Sequence, residues 1–115
     1  MEKLKGLKKK YIEETIRMGK KVKVAGGFVA IKQITNENKE VSHVKDLYAI
    51  SVSKKFSKSA VKRNTARRKI GSVIEKVLSE KKVLHYFIVL VLKAPLDDLS
   101  IVKNEISEIL RNTIH

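Results

Sequence analysis

The most constraining feature of the sequence is a nearly continuous apolar run over residues 83–92, VLHYFIVLVL, which only His85 interrupts. The run is rich in β-branched residues and lacks the alternation of a half-exposed strand, so it predicts a strand buried on both faces. Pro95 follows shortly after and ends it. A membrane-spanning helix needs about 20 apolar residues, so this run is too short to cross a bilayer. The rest of the chain must therefore cover one central strand from both sides.

Apolar residues at helical spacing predict three helices around this strand. The first helix covers Leu7–Met18. The second follows Ser57 or Ser59 as its N-cap, and its apolar stripe is Ala66, Ile70, Val73, Ile74, Val77 and Leu78. The third follows Asp97 or Asp98 as its N-cap, and its stripe is Leu99, Val102, Ile106, Ile109 and Leu110.

Three further strands are predicted between the first and second helices. They cover Val22–Val24, Phe28–Ile34 and Leu47–Ser53. The polar residues between the last two predict that these strands pair as an antiparallel hairpin. The order α-β-β-β-α-β-α predicts an α+β fold, a two-layer α-β sandwich with about four strands. The absence of repeats and linkers predicts one domain over residues 1–115.

The charge balance points to an anionic partner. The chain carries 26 Lys and Arg against 12 Asp and Glu, a formal net charge of +14. Such an excess stores self-repulsion and favours binding to nucleic acid or an anionic membrane surface, with an acidic protein less favoured. The absence of cysteine excludes disulfide partners, thiolate zinc sites and a cysteine nucleophile. It also fits a reducing compartment, and we expect a cytoplasmic protein with no secretory signal.

Much of this charge lies in one segment that we call the basic window, residues 53–74, which contains no Asp or Glu. Its basic residues are Lys54, Lys55, Lys58, Lys62, Arg63, Arg67, Arg68 and Lys69. The alternative explanation is that these residues only form the solvent-exposed face of a helix and bind nothing. Exposed helices usually interleave both signs, however, because like charges at this spacing repel. The window is therefore better explained as a docking surface.

The periodicity of the second helix places some of these side chains. At 100° per residue, Arg63 and Arg67 continue the apolar stripe toward the N-terminus, whereas Asn64, Thr65 and Arg68 point to the other side. Either the N-terminal end overhangs the sheet, or the two arginines line a cleft between helix and sheet. Snorkelling along the sheet edge is the third alternative. Guanidinium groups grip phosphate oxygens bidentately, and a helix N-terminus favours the same anion.

Two blocks in and around this window resemble the signature of the bacterial ribonuclease P protein subunit. The blocks are SVSKK at residues 51–55 and AVKRNTARR at residues 60–68, similar to the family's S-V-S-K-K and A-V-x-R-N-R-x-K-R. The resemblance extends along nearly the whole chain. This sequence departs from the pattern at Thr65, where the family has its second arginine, and at Leu47 and Gly71, which are often arginine. Ile12 and Ile16 stand where the family tends to place aromatic residues.

The resemblance implies a mixed sheet in which the signature helix joins parallel strands by a left-handed crossover. It implies that the catalytic centre lies in an RNA partner, which removes the 5′ leader of precursor tRNA with Mg²⁺ that the RNA brings. The expected RNA-binding residues are Lys54, Lys55, Lys58, Lys62, Arg63, Asn64, Arg67, Arg68 and Lys69. The expected wall of the leader cleft is Ile12, Ile16, Phe28 and Ile31.

Other functions remain as alternatives. A ribosomal or RNA-chaperone protein would carry the same charge, and a membrane-surface protein would expose apolar residues on a basic helix. No protein catalytic or metal site stands out, because His43, His85 and His115 are scattered and lack ligand spacing. Asp97 and Asp98 could hold magnesium, but a helix cap explains them better.

Overall fold

The computed structural model describes residues 7–34, 47–81 and 85–113. The predicted order of elements is confirmed. The elements are α1 (Lys9–Met18), β1 (Lys20–Val24), β2 (Gly27–Gln33), β3 (Tyr48–Val52), α2 (Ala60–Lys81), β4 (Tyr86–Leu92) and α3 (Leu99–Thr113). None of the helices in these ranges is long and apolar enough to cross a membrane.

The caps of the two longer helices are among those expected. The Ser59 Oγ accepts the Lys62 backbone N–H at 3.2 Å, one turn into α2. The Asp98 carboxylate accepts the Ser100 backbone N–H at 2.9 Å at the start of α3. Each side chain satisfies an amide that has no partner within its helix, which defines where the helix begins.

The apolar run forms an interior strand of the sheet, as predicted. The strand order is β1-β2-β4-β3, and residues 87–90 of β4 are at most 1% exposed. Strand β4 pairs antiparallel with β2 and parallel with β3. The first two residues of the predicted strand, Val83 and Leu84, lie outside the described residues.

The predicted hairpin between the second and third strands is wrong. β4 lies between β2 and β3, and β2 instead forms its hairpin with β1. That turn includes Gly26, whose φ of +82° is in the left-handed region that glycine adopts without strain. A strand that is apolar on both faces gains most from an interior position, and this outweighs the sequence proximity of β2 and β3.

The parallel pair β3 and β4 is connected through α2, as the resemblance implies. The left hand of this crossover stays a prediction. Because a parallel pair needs a long connection, α2 begins beyond one end of the sheet and returns along its face. The basic window lies at the start of that return.

Helices lie on both faces of the sheet. Tyr48 of β3 bonds to Glu75 of α2, while Phe87 of β4 stacks on Tyr11 of α1 at 4.8 Å between ring centroids. Tyr48 pairs in register with Ile88, so Phe87 points to the opposite face. The expected α-β sandwich is thus formed by α2 and α3 on one face, and α1 covers part of the other.

One departure from the family pattern, Gly71, has a structural explanation. A Cβ at Gly71 would lie 2.9 Å from the Tyr48 hydroxyl oxygen. That hydroxyl donates a 2.5 Å hydrogen bond to the Glu75 carboxylate, one turn farther along α2. The glycine therefore leaves the space in which β3 and α2 are joined by a polar contact.

Replacing Tyr48 with Phe tests this contact. Burial, and then the hydrogen bond to Glu75, raise the pKa of the Tyr48 hydroxyl above its usual value. Because the pKa of this hydroxyl is higher in the folded protein than the value of about 10 in the unfolded chain, its contribution to the free energy of unfolding is fully present below pH 10. The contribution is lost as the pH rises through the pKa of the folded state. We expect Tyr48→Phe to cost about 1 kcal/mol at pH 7. The difference from wild type should shrink above pH 10 in urea unfolding curves, and a difference independent of pH would contradict the assignment.

Candidate nucleic-acid interface

The N-terminal part of α2 overhangs the sheet. Residues 60–65 are all exposed or half-buried, and Ala66 is the first fully buried residue of the helix. The overhang is therefore the correct choice among the three arrangements that the periodicity allowed. It presents the first turns of a helix to solvent on several sides.

Eight of the nine predicted RNA-binding residues are exposed on the loop before α2, on the overhang and on the turn of α2 that follows it. They are Lys54, Lys55, Lys58, Lys62, Asn64, Arg67, Arg68 and Lys69. The ion pairs Glu14–Lys32 and Glu80–Arg111 both lie outside the basic window. Among the described residues, the cations of the window are exposed along one stretch of the chain, and such a concentration of positive charge suits a polyanion.

The ninth residue, Arg63, is half-buried and holds the loop in place. Its Nη1 donates to the Ser57 backbone oxygen at 2.9 Å. The same loop contains a turn in which the Phe56 N–H bonds to the Ser53 oxygen at 3.0 Å. Because a guanidinium has five N–H donors, Arg63 can order the loop and still offer donors to an anion.

Arg67 and Asn64 lie together, although the periodicity separated them. The Arg67 Nη1 donates to the Asn64 Oδ1 at 2.6 Å across one turn of the helix. Side chains three residues apart are neighbours on a helix surface. The contact orients the exposed guanidinium and reduces the entropy that it would lose on gripping a phosphate.

A second surface lies on the α1 face of the sheet. Phe28 is half-buried there, and the Lys93 Nζ lies 5.7 Å from its ring centroid. The two residues line a cavity of about 430 Å³ together with Lys23. Neither lysine was predicted as a site residue, because one follows β4 and the other lies on β1, far apart in the sequence. Only the sheet brings them beside Phe28.

Ile12 and Ile16 of α1 border the same side of the helix. Both are half-buried, one step around the helix from the buried Tyr11 and Thr15. On the other side of α1, Glu14 pairs with Lys32 at 3.1 Å. Both pack against the core cluster, and neither lines the cavity beside Phe28, so their place in the leader cleft stays a prediction.

Ile31 does not belong to this wall, which corrects the expectation. It lies three residues after Phe28 in a regular strand, so the two side chains point to opposite faces. Ile31 is 4% exposed within the core cluster. Its register partner Ile88 is fully buried on the face covered by α2 and α3.

The described residues do not bring three His, Asp or Glu side chains together in a way that could hold a metal ion. His85 is exposed beside Tyr86, with 5.2 Å between ring centroids. His43 and His115 lie outside the described residues. Asp98 caps α3 and is exposed, and its hydrogen bonds to Ser100 lower its pKa, as expected for a capping carboxylate.

Comparisons with known proteins agree with the fold. The structure is similar to that of the Staphylococcus aureus RNase P protein, with a TM-score of 0.53 and 24% sequence identity, over 93% of this chain and 88% of that one. No curated protein sequence matches. The family model described as Ribonuclease P matches residues 1–113. The chain therefore belongs to the ribonuclease P protein family.

Proposed function

We propose that this protein is the protein subunit of ribonuclease P. In this role it binds the catalytic RNA and the 5′ leader of precursor tRNA, and it aids the magnesium-dependent endonucleolytic removal of that leader in the cytoplasm. The observation that carries the proposal is the exposure of the signature residues on the overhanging start of α2. Membership of the ribonuclease P family supports the same conclusion.

The basic window is assigned to the catalytic RNA. Lysine and arginine contacts to phosphates release condensed counterions, which provides affinity without a requirement for sequence. Arg67, oriented by Asn64, suits a bidentate contact to one phosphate. The loop before α2 is ordered by Arg63, so Lys54 and Lys55 lose little entropy when they bind.

The groove on the α1 face is assigned to the single-stranded leader. Phe28 offers an aromatic side chain to a base, and Lys23 and Lys93 offer charges to the flanking phosphates. Stacking and phosphate contacts are tolerant of sequence. Such tolerance suits a subunit that must serve many precursor tRNAs.

The chemistry of cleavage is assigned to the RNA partner and its magnesium ions. The chain's contribution is to bring two polyanions together by supplying positive charge at both surfaces. Protein cations then replace part of the counterion charge that magnesium would otherwise supply. The expected consequence is a lower requirement for magnesium.

Reconstitution tests the proposal. We expect the protein, added to the ribonuclease P RNA of its own cell, to accelerate 5′ leader removal at magnesium concentrations where the RNA alone is slow. Cleavage would be followed with precursor tRNA labelled at its 5′ end. A basic peptide with the same net charge is the control for nonspecific screening.

Two outcomes would contradict the proposal. If the basic peptide stimulated cleavage as much as the protein does, the stimulation would be explained by positive charge alone and not by the structure of the protein. Tight RNA binding without any stimulation would instead indicate a ribosomal or RNA-chaperone type of protein.

A further inference from the structure

A cavity beside the basic window has no role in the function described above. It measures about 350 Å³ and lies between the loop after β3, the first turns of α2 and the segment that leads into α3. Its apolar lining consists of Phe56, Leu96 and Leu99, all half-buried. We call it the Phe56 cavity. Its volume is at the small end of ligand sites and suits one nucleotide rather than a peptide segment.

The polar groups of the Phe56 cavity match the edges of a base. Thr65 contributes a hydroxyl, which can donate or accept, and Asp97 contributes a carboxylate, which accepts. Carboxylates accept hydrogen bonds from exocyclic amino groups of bases. Lys62 also lines the cavity and is exposed, so its ammonium can reach a phosphate outside.

The cavity is held open by Arg63, which is not one of its lining residues. Arg63 fixes the Ser57 backbone oxygen at 2.9 Å, which holds the segment that carries Phe56 against α2. Asp98 rather than Asp97 caps α3, so the Asp97 carboxylate is not required for the helix. The short side chain of Thr65 leaves open the space that a long side chain at this position would enter. The site is thus largely preformed, which lowers the cost of binding.

The surface next to the Phe56 cavity is apolar as well as basic. Val61 is 74% exposed and lies one turn before Thr65 on the same side of α2. An exposed valine among lysines and arginines costs solvation free energy in the free protein. The cost is recovered when an apolar surface, such as the face of a sugar or base, covers it.

We propose that the Phe56 cavity binds one unpaired nucleobase of the RNA partner. The base inserts against Phe56 and bonds to Asp97 and Thr65, while Lys62 contacts its phosphate. The positive charge around the opening favours RNA over a protein segment, because phosphates must lie close to the inserted base. This inference rests on the proposed binding of RNA and adds a point of structure-specific recognition to a surface of phosphate contacts.

Two substitutions with matched controls test the inference by RNA binding at several salt concentrations. Thr65→Leu fills the cavity without changing charge, and we expect affinity to fall roughly tenfold, because the stacking of one base is lost. Ser72→Leu adds the same side chain at an exposed position of α2 and should have no effect. The salt dependence of Ser72→Leu should equal that of wild type, and that of Thr65→Leu should become shallower by no more than about one phosphate contact, because only the Lys62 contact to the inserted nucleotide can be lost.

Asp97→Ala distinguishes hydrogen bonding to a base from general electrostatics, because the two predict changes of opposite sign in RNA affinity. Removing an acid beside RNA should tighten binding if only electrostatics act, whereas the inference predicts weaker binding. Glu108→Ala, which removes an exposed acid of α3, is the control. Urea unfolding of each variant verifies that the fold is kept.

The outcomes separate the inference from the proposed function. Unchanged affinity for Thr65→Leu, or tighter binding for Asp97→Ala, would overturn the inference and leave the proposed function intact. Failure of the wild-type protein to bind the RNA would overturn both.

Discussion

Replacing Lys62, Arg67 and Arg68 together with alanine is expected to lower affinity for the catalytic RNA by about 50- to 150-fold at 0.15 M salt. Lys62 is exposed on the overhanging start of α2, and Arg67 and Arg68 are exposed about one turn farther along the helix. Each phosphate contact contributes about 0.7–0.9 to the slope of log affinity against log salt. The slope should therefore become shallower by about 2–3.

The control removes the same number of charges elsewhere. Lys20 and Lys21 lie on β1, and Lys76 lies in the later turns of α2; all three are exposed. Their joint replacement leaves the net charge equal to that of the first variant, so general attraction falls by the same amount. Equal losses in the two variants would show that only total charge matters and would refute the assignment of the basic window.

Gly27→Ala is expected to destabilise the fold by about 3 kcal/mol or more, a large part of the 5–15 kcal/mol that stabilises a typical domain. A Cβ at Gly27 would lie 1.7 Å from the backbone oxygen of Val91 in the neighbouring strand. Relief of that overlap requires β2 to move away from β4, where the two strands pair in register. Phe28, the next residue of β2, would move with it, so leader binding should weaken as well.

The direction of this effect is diagnostic. In an ordinary strand position alanine is more stable than glycine by about 0.5–1 kcal/mol, so steric overlap must reverse the sign. Lys21→Ala, at an exposed position of the neighbouring strand, should change the free energy of unfolding by less than about 0.5 kcal/mol. Urea unfolding followed by circular dichroism measures both variants. A Gly27→Ala protein as stable as wild type would contradict the close approach of β2 and β4.

The parts of the structure that were predictable depend on local physics. The run that forms β4 is apolar at nearly every position, and no exposed element tolerates that pattern. Ser59 and Asp98 act as caps because their side chains bond to amides two or three residues away. The basic window could be found because the absence of acids is a property of the sequence itself.

Errors arose where one residue's position depends on a distant part of the chain. The hairpin of β2 and β3 was expected from their proximity in sequence, but β4, more than 30 residues later, lies between them. Ile31 was assigned to the wall of Phe28 by resemblance, and the alternation of a strand places it on the other face. The helical periodicity places Asn64 and Arg67 on different sides of α2. Their side chains nevertheless form a hydrogen bond, because the angle between two residues on a helix does not account for the length of their side chains.

The order of the elements, the buried strand and the position of the basic window could be predicted from the chain alone, because each of these depends on neighbouring residues along the sequence. Which residues of distant segments come into contact depends on the tertiary fold. Lys23 and Lys93 reach Phe28 only through the pairing of β1, β2 and β4. Phe56, Thr65 and Asp97 enclose one cavity because α2 returns over the sheet beside the start of α3. The apolar run at residues 83–92 can be identified from the sequence, but its burial requires helices on both faces of the sheet. These helices carry most of the basic window on one face and border the groove beside Phe28 on the other.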